Sequence, residues 1–212
     1  MDLNQAFVDT LKLAGCHVVG FADLSVLPAE PRNHLPVGII MATAYTPPTV
    51  WNKLNEAQRK AIADNEADGD PLERYRKRAK DFLRERKYKR NTTYPTMQIT
   101  YKMLATLAGI GWIGRNALLV SHALGCAVRF TAVLTDAPFV CGTPITASLC
   151  PPHCRLCTEA CPGKAIKGNP LWARDIHRDA FFDVDACKAN RNKCDGACVG
   201  CCPFTIKGLS LV

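Results

Sequence analysis

The chain opens with apolar residues at helical spacing, Leu3, Phe7, Leu11 and Ala14, closed by Gly15 and followed at once by an apolar stretch over 18–22. That order predicts a helix and then a strand. A second apolar run, 37–45, lies between Pro36 and Pro47-Pro48, and its length favours a buried strand. Over 53–90 charged residues dominate, with a break at Asp68-Gly69-Asp70-Pro71. Two helices are expected there, the second opened by Pro71 at its first position. Residues 99–108 return to helical spacing, and 126–134 is rich in β-branched and apolar residues that suit a buried strand ending at Thr135-Asp136-Ala137-Pro138. Beyond Pro138 the periodicity fades, and Pro144, Pro151, Pro152, Pro162, Pro170 and Pro203 accompany a rise in cysteine. The pattern implies an α/β domain over 1–145 and a smaller, irregular one over 146–212.

Composition supports a core and leaves the partner open. A chain of 212 residues with 48% hydrophobic content excludes global disorder. No run approaches the roughly 18 apolar residues needed to cross a bilayer, and the first twenty residues lack a basic start followed by an apolar block. The expectation is a soluble, unexported, cytoplasmic protein with no membrane partner. Lysine and arginine exceed aspartate and glutamate by 27 to 19, a formal +8. Residues 73–90 hold ten of those bases against three acids, with Tyr75, Phe82, Leu83 and Tyr88 as apolar anchors. A solvated helix face is expected there rather than a nucleic-acid surface.

Cysteine changes the picture most. Of twelve cysteines, nine fall within 150–202, and the first 125 residues contain only Cys16. Disulfide scaffolds spread their bridges through a small fold, whereas metal ligands gather where a cluster sits. Cys150, Cys154, Cys157 and Cys161-Pro162 follow C-x3-C-x2-C-x3-C-P, close to a bacterial ferredoxin run. In such runs three close cysteines wrap one four-iron cluster and the cysteine before proline reaches the other cluster. A second run exists, Cys187, Cys194, Cys198 and Cys202-Pro203, repeating the C-x3-C-P ending. Crossover assigns Cys150, Cys154, Cys157 and Cys202 to one [4Fe-4S] cluster, and Cys187, Cys194, Cys198 and Cys161 to the other. Cys201 is a spare or a competitor of Cys202. Two such clusters with their thiolates would carry about −2 each, offsetting roughly half of the basic excess. Structural zinc is the alternative, since closely spaced cysteines also suit a tetrahedral site. Eight cysteines leave His153 unnecessary as a ligand. Cys16 and Cys126 read as buried small hydrophobes, and Cys141 lies too near the run to be set aside.

The stretch 109–114, Gly109-Ile110-Gly111-Trp112-Ile113-Gly114, formally matches the dinucleotide fingerprint G-x-G-x-x-G. That fingerprint needs a strand before it and a helix after it, and here the preceding segment reads as helix. A plain tight turn is a second possibility. A third follows from resemblance. Ala108-Gly109-Ile110-Gly111-Trp112-Ile113-Gly114-Arg115-Asn116-Ala117-Leu118-Leu119, then Leu134-Thr135-Asp136-Ala137-Pro138, then the cysteine run, closely resembles the epoxyqueuosine reductase family, which is cobalamin-dependent and related to reductive dehalogenases. Residues 15–23 and 35–48 resemble the family's opening elements.

The resemblance implies a nitroreductase-like α/β domain cradling a corrin ring, joined to a ferredoxin-like module whose two clusters deliver electrons. It makes Gly109, Gly111, Trp112, Gly114, Arg115 and Asn116 candidate cobalamin-pocket residues, the glycines allowing close approach of the ring. It also implies an electron donor such as ferredoxin or flavodoxin, and a small-molecule substrate. Two departures limit the transfer. The family's catalytic acid lies about thirteen residues before the glycine motif, where this chain reads Thr93-Tyr94-Pro95-Thr96-Met97, without a carboxylate. Longer members carry a carboxy-terminal repeat domain implicated in RNA recognition, whereas this sequence ends at Val212. Epoxyqueuosine in transfer RNA is therefore not the expected substrate. Tyr94, or less readily Tyr101, is the candidate proton donor, as a tyrosine is in reductive dehalogenases. The expected function is an iron-sulfur oxidoreductase; a non-catalytic electron carrier or assembly protein and a zinc-stabilised nucleic-acid module are the other readings.

Overall fold

The structure, a computed structural model, describes residues 2–91 and 99–208. Along the chain run helix α1 (Leu3–Leu13), strands β1 (Val18–Asp23) and β2 (Val37–Ala44), helices α2 (Pro48–Trp51), α3 (Glu56–Glu66) and α4 (Pro71–Glu85), strand β3 (Arg90–Asn91), helix α5 (Tyr101–Leu107), and strands β4 (Gly111–Ile113), β5 (Leu119–Ser121) and β6 (Val128–Thr135). Five short helices follow, α6 (Leu156–Glu159), α7 (Val184–Ala189), α8 (Arg191–Cys194), α9 (Ala197–Gly200) and α10 (Pro203–Gly208). The fold class is α/β. The helices expected before and after Pro71 are α3 and α4, and the three long apolar runs are β1, β2 and β6.

Two compact units interleave along the chain. The first comprises 1–43, 63–110 and 129–144; the second comprises 44–62, 111–128 and 145–212. One seam falls where the proline-rich, cysteine-rich composition begins. The second unit also takes in 44–62 and 111–128, two segments with no cysteine run of their own.

The first unit is built on a four-stranded sheet ordered β1-β2-β6-β3. β1 and β2 are antiparallel, with Val18 opposite Ala42 and Asp23 opposite Val37, and β3 meets β6 antiparallel at Arg90 opposite Thr135. All eight residues of β2 are buried, as expected of an internal strand covered on both faces. Phe7 of α1, Phe21 of β1, Phe82 of α4 and Phe139 form the centre of the core. Phe21 and Phe139 stack with centroids 4.5 Å apart, and Phe7 meets Phe82 edge-on at 5.0 Å. Each such ring contributes about 1.5–3 kcal/mol by leaving water.

Helix α4 shows why a strongly basic segment still folds. Asp70 caps it by accepting the Leu72 N–H at 3.2 Å, and Tyr75, Ala79, Phe82 and Leu83 lie on one buried face at spacings of three and four residues. Its bases are engaged locally. Arg76 pairs with Glu73, Arg84 with Asp81 at 2.7 Å, and the Arg86 guanidinium sits 3.6 Å from the Phe82 ring centroid. Arg74 turns inward and donates to the backbone and side-chain oxygens of Asn65, both at 2.6 Å.

The second unit holds the β4–β5 hairpin, where Gly111 faces Ser121 and Ile113 faces Leu119. Its core joins Val50, Leu54, Ile62, Trp112, Val120 and Val199. A separate ferredoxin-like module, expected over 146–212, is not seen among the described residues. Backbone pairing there reduces to two isolated bridges, Ala147 with Ala173 and Ile166 with Phe182. Prolines, which lack an N–H, and turns around each cysteine leave no length for a ladder.

Candidate iron-sulfur site

The cysteines lie on short helices and the turns between them. Cys154 follows a turn in which its N–H reaches Pro151 O at 3.1 Å, Cys157 lies in α6, and Cys161 comes just past the end of that helix. The Ala165 N–H donates to Cys161 Sγ at 3.4 Å. In the second run, Asp183 caps α7 by accepting the N–H groups of Asp185 and Ala186 at 3.0 and 2.9 Å, which fixes Cys187 on that helix. Cys194 closes α8. Asp195 and Gly196 then take left-handed backbone angles, φ 44° and 76°, and turn the chain into α9 with Cys198.

Segment 44–62 packs against this second run. The Thr49 hydroxyl donates to Asp195 O and Gly196 O, both at 2.9 Å, and Lys53 Nζ donates to Gly200 O at 2.5 Å. No sequence pattern marked Thr49 or Lys53, because their partners are backbone oxygens about 147 residues away.

Four thiols from the two runs line one cavity. Cys150, Cys154 and Cys157 meet Cys202 around a space of about 350 Å³ that includes its open mouth, together with Arg115, Asn116, Val120, Cys126 and Phe204. The remaining candidates are not among the residues that line this cavity. Cys161 and Cys194 both act electrostatically on Cys187 and on Cys198. Cys161, from the end of the first run, is thus near cysteines of the second. Cys202, from the end of the second, stands with cysteines of the first. Cys201 exerts the largest neighbouring-charge effect on Cys157.

The thiols hold each other back from ionising. Burial, then the neighbouring thiols, pushes Cys157 up to about 12, and burial with Cys194, Cys201 and others does the same to Cys198. Cys202 moves the opposite way. A hydrogen bond from Cys126 stabilises its thiolate, aided by the N–H groups of Phe204 and Thr205 at the start of α10, whereas Cys126 itself is held well above the ordinary thiol range. Cys126 is therefore more than an apolar filler, although it is as buried as that reading required. Asn116 Nδ2 donates to its sulfur at 3.3 Å and to Cys198 O at 3.1 Å. Among the described residues no three His, Cys, Asp or Glu side chains are grouped as donors to a single metal ion.

The glycine motif has a different setting from the one expected. The preceding helix is α5, but strand β4 follows, so the requirement of the dinucleotide fingerprint is not met. A Cβ on Gly109, at φ +69°, would stand 2.4 Å from Thr143 O. One on Gly111 would stand 2.2 Å from Val120 O, and one on Gly114 would stand 2.8 Å from Val120 Cγ2. All three glycines therefore pack closely against the chain's own atoms. Trp112, Arg115 and Asn116 are 2%, 2% and 4% exposed, all within the second unit. Tyr94 and its neighbours 93–97 lie outside the described residues, and Tyr101 opens α5.

No family model matches the chain. An epoxyqueuosine reductase of Listeria monocytogenes is 35% identical over 74 residues, 35% of this chain and 19% of that protein. A tetrachloroethene reductive dehalogenase of Sulfurospirillum multivorans is 32% identical over 115 residues, 48% of this chain and 23% of that one. The solved epoxyqueuosine reductase of Streptococcus thermophilus superposes over 97% of this chain and 66% of its own, with a TM-score of 0.61 at 17% identity. Over these segments the chain is similar to epoxyqueuosine reductases and to a reductive dehalogenase. Its matches span about a fifth to a quarter of the length of these curated relatives. The sequence similarities link the chain to redox enzymes, and the superposition shows that it shares their α/β fold. Among its described residues no helix is long and apolar enough to cross a membrane.

Proposed function

We propose that the chain is an iron-sulfur redox protein in which Cys150, Cys154, Cys157 and Cys202 hold one four-iron cluster, and Cys161, Cys187, Cys194 and Cys198 hold a second. The observation that carries this reading is the convergence of thiols from two separate runs on one cavity. Burial and the neighbouring thiols push Cys157 up to about 12, so its ionisation needs a concentrated positive charge beside it, and iron supplies one. Zinc is less suited, because a tetrahedral zinc site does not require the Cys-Pro ending that closes both cysteine runs, whereas a two-cluster ferredoxin arrangement does. When bound, such clusters pass single electrons to an acceptor. The chain's residues then fix their positions and limit water around them. The donor would be a small redox protein such as ferredoxin or flavodoxin.

The resemblance to cobalamin-dependent reductases makes a corrinoid the first acceptor to test. Gly109, Gly111 and Gly114 pack closely against other parts of the same chain, while Arg115 and Asn116 line the cysteine cavity. That observation favours a second reading, an electron-transfer or assembly protein without a reaction of its own. Epoxyqueuosine reduction is not proposed, because 93–97 lacks the family's acid.

Anaerobically prepared protein tests both steps. About eight iron and eight sulfide per chain are expected, with an electron paramagnetic resonance signal after dithionite reduction. Protein that purifies colourless and binds zinc instead would overturn the cluster reading. With the clusters in place, titration with a cobalamin separates the two acceptors: stoichiometric binding with altered corrin bands supports the reductase, and unaltered bands support the carrier.

A further inference from the structure

Arg115 is among the largest fully buried side chains of the protein, 2% exposed. Its guanidinium is held by carbonyls. Nη2 donates to Pro152 O at 2.6 Å and to Pro151 O at 3.3 Å, the two peptides just after Cys150. Nη1 donates to Gly168 O and, at 3.2 Å, to Asn169 Oδ1, in the loop after Cys161-Pro162. One side chain thus joins both arms of the first cysteine run.

Its charge has no carboxylate to answer it. None of the ion pairs among the described residues includes Arg115, and its buried Nε has no hydrogen-bond partner. An isolated buried cation is strongly unfavourable, and carbonyl dipoles satisfy its hydrogens without cancelling its charge. Arg115 lines the same cavity as Cys150, Cys154, Cys157 and Cys202. An anionic occupant of that cavity would complete it.

We propose that Arg115 is the counter-charge of this cavity, a positioning residue that holds the first cysteine loop and raises the reduction potential of the cluster bound there. The inference rests on the cluster reading above. A four-iron centre with four thiolates is already anionic, and one-electron reduction adds one more negative charge without changing its ligands. A fixed cation beside it favours the reduced form. The arginine that acts on the second group, Arg191 beside Cys187, is exposed rather than buried, so the two potentials respond separately.

The test is an anaerobic potentiometric titration of cluster-loaded protein, with dithionite as the electron source and the paramagnetic signals of the reduced clusters as readout. Arg115→Gln removes the charge and keeps a hydrogen-bonding group. It is expected to weaken reduction of one cluster tenfold or more, about 59 mV for a one-electron couple, with the other unchanged. Asn169→Asp keeps the shape beside Nη1 but places a carboxylate against the guanidinium. It is expected to lower the same midpoint, and an unmoved midpoint there decides against the proposal if Arg115→Gln fails to assemble. Arg115→Lys, which keeps the charge, should shift the midpoint less than Arg115→Gln. Both clusters present with unmoved midpoints in Arg115→Gln, or in Asn169→Asp, overturns the proposal. Wild-type protein that lacks iron instead overturns the cluster reading beneath it, so the two failures are distinct.

Discussion

The His17 imidazole is partly buried in the first unit, with Nδ1 3.2 Å from the Thr43 hydroxyl oxygen. Burial lowers its pKa below the ordinary value of about 6.5, so the folded protein keeps the ring neutral where the unfolded chain would protonate it. Above about pH 6.5 both states are neutral and His17 contributes no pH dependence. As pH falls through that value the unfolded chain takes up the proton first, and stability is lost until the folded ring also titrates. Wild-type protein should therefore lose more stability between pH 7.5 and 5.5 than His17→Gln, measured as urea midpoints by circular dichroism. Equal losses would show that the ring is as free to protonate as in the unfolded chain. At this scale, legibility depended on repetition. The eight candidate cysteines stand out because their spacing recurs and ends twice at Cys-Pro, whereas Cys126 sits in the apolar stretch Gly125-Cys126-Ala127-Val128 and nothing local marks its hydrogen bond to Cys202. Arg115 was legible as a site residue only through its motif, and its partners at Pro151, Pro152 and Gly168 are long-range.

Elements with their own punctuation were the readable ones. Helix α4 could be placed because Asp70-Pro71 is both cap and first turn, and β2 because prolines bracket a short apolar run. The three-residue strands β4 and β5 carry too little pattern to be seen, and the glycines that permit their hairpin look identical to glycines that admit a ligand. The two roles can be separated by experiment. If Gly111 serves the hairpin, Gly111→Ala must destabilise protein that has never met a corrinoid, because its Cβ would press on Val120 O, a backbone atom that cannot swing aside. Overpacking of this kind costs about 1–3 kcal/mol. The measurement is the urea midpoint of cobalamin-free protein. A variant as stable as wild type that merely fails to bind cobalamin would return the glycine to the ligand.

Across the whole molecule, stability rests on different sources in the two units. The first has an aromatic core in which Phe7, Phe21, Phe82 and Phe139 touch one another, enough to hold a sheet without help. In the second, residues 145–208 contribute only Ala165, Ile166, Phe181 and Val199 to the fully buried apolar set among the described residues. Their longest helices have six residues and their pairing is two isolated bridges. Segments with so little apolar burial are ordinarily held by metal or cross-links. Composition made this contrast visible at the outset, as periodicity giving way to proline and cysteine near residue 145. The interleaving was not visible, since 44–62 and 111–128 join the second unit through tertiary contacts alone. Removing iron with a chelator under reducing conditions should therefore act unevenly. Hydrogen exchange is expected to accelerate strongly over 145–208, where the proposed ligation would replace a core, while the amides of β1, β2 and β6 keep their protection because none of the proposed ligands lies in those strands. Uniform loss across both units would mean that the sheet also depends on iron, and unchanged exchange over 145–208 would mean that those turns are held by packing after all.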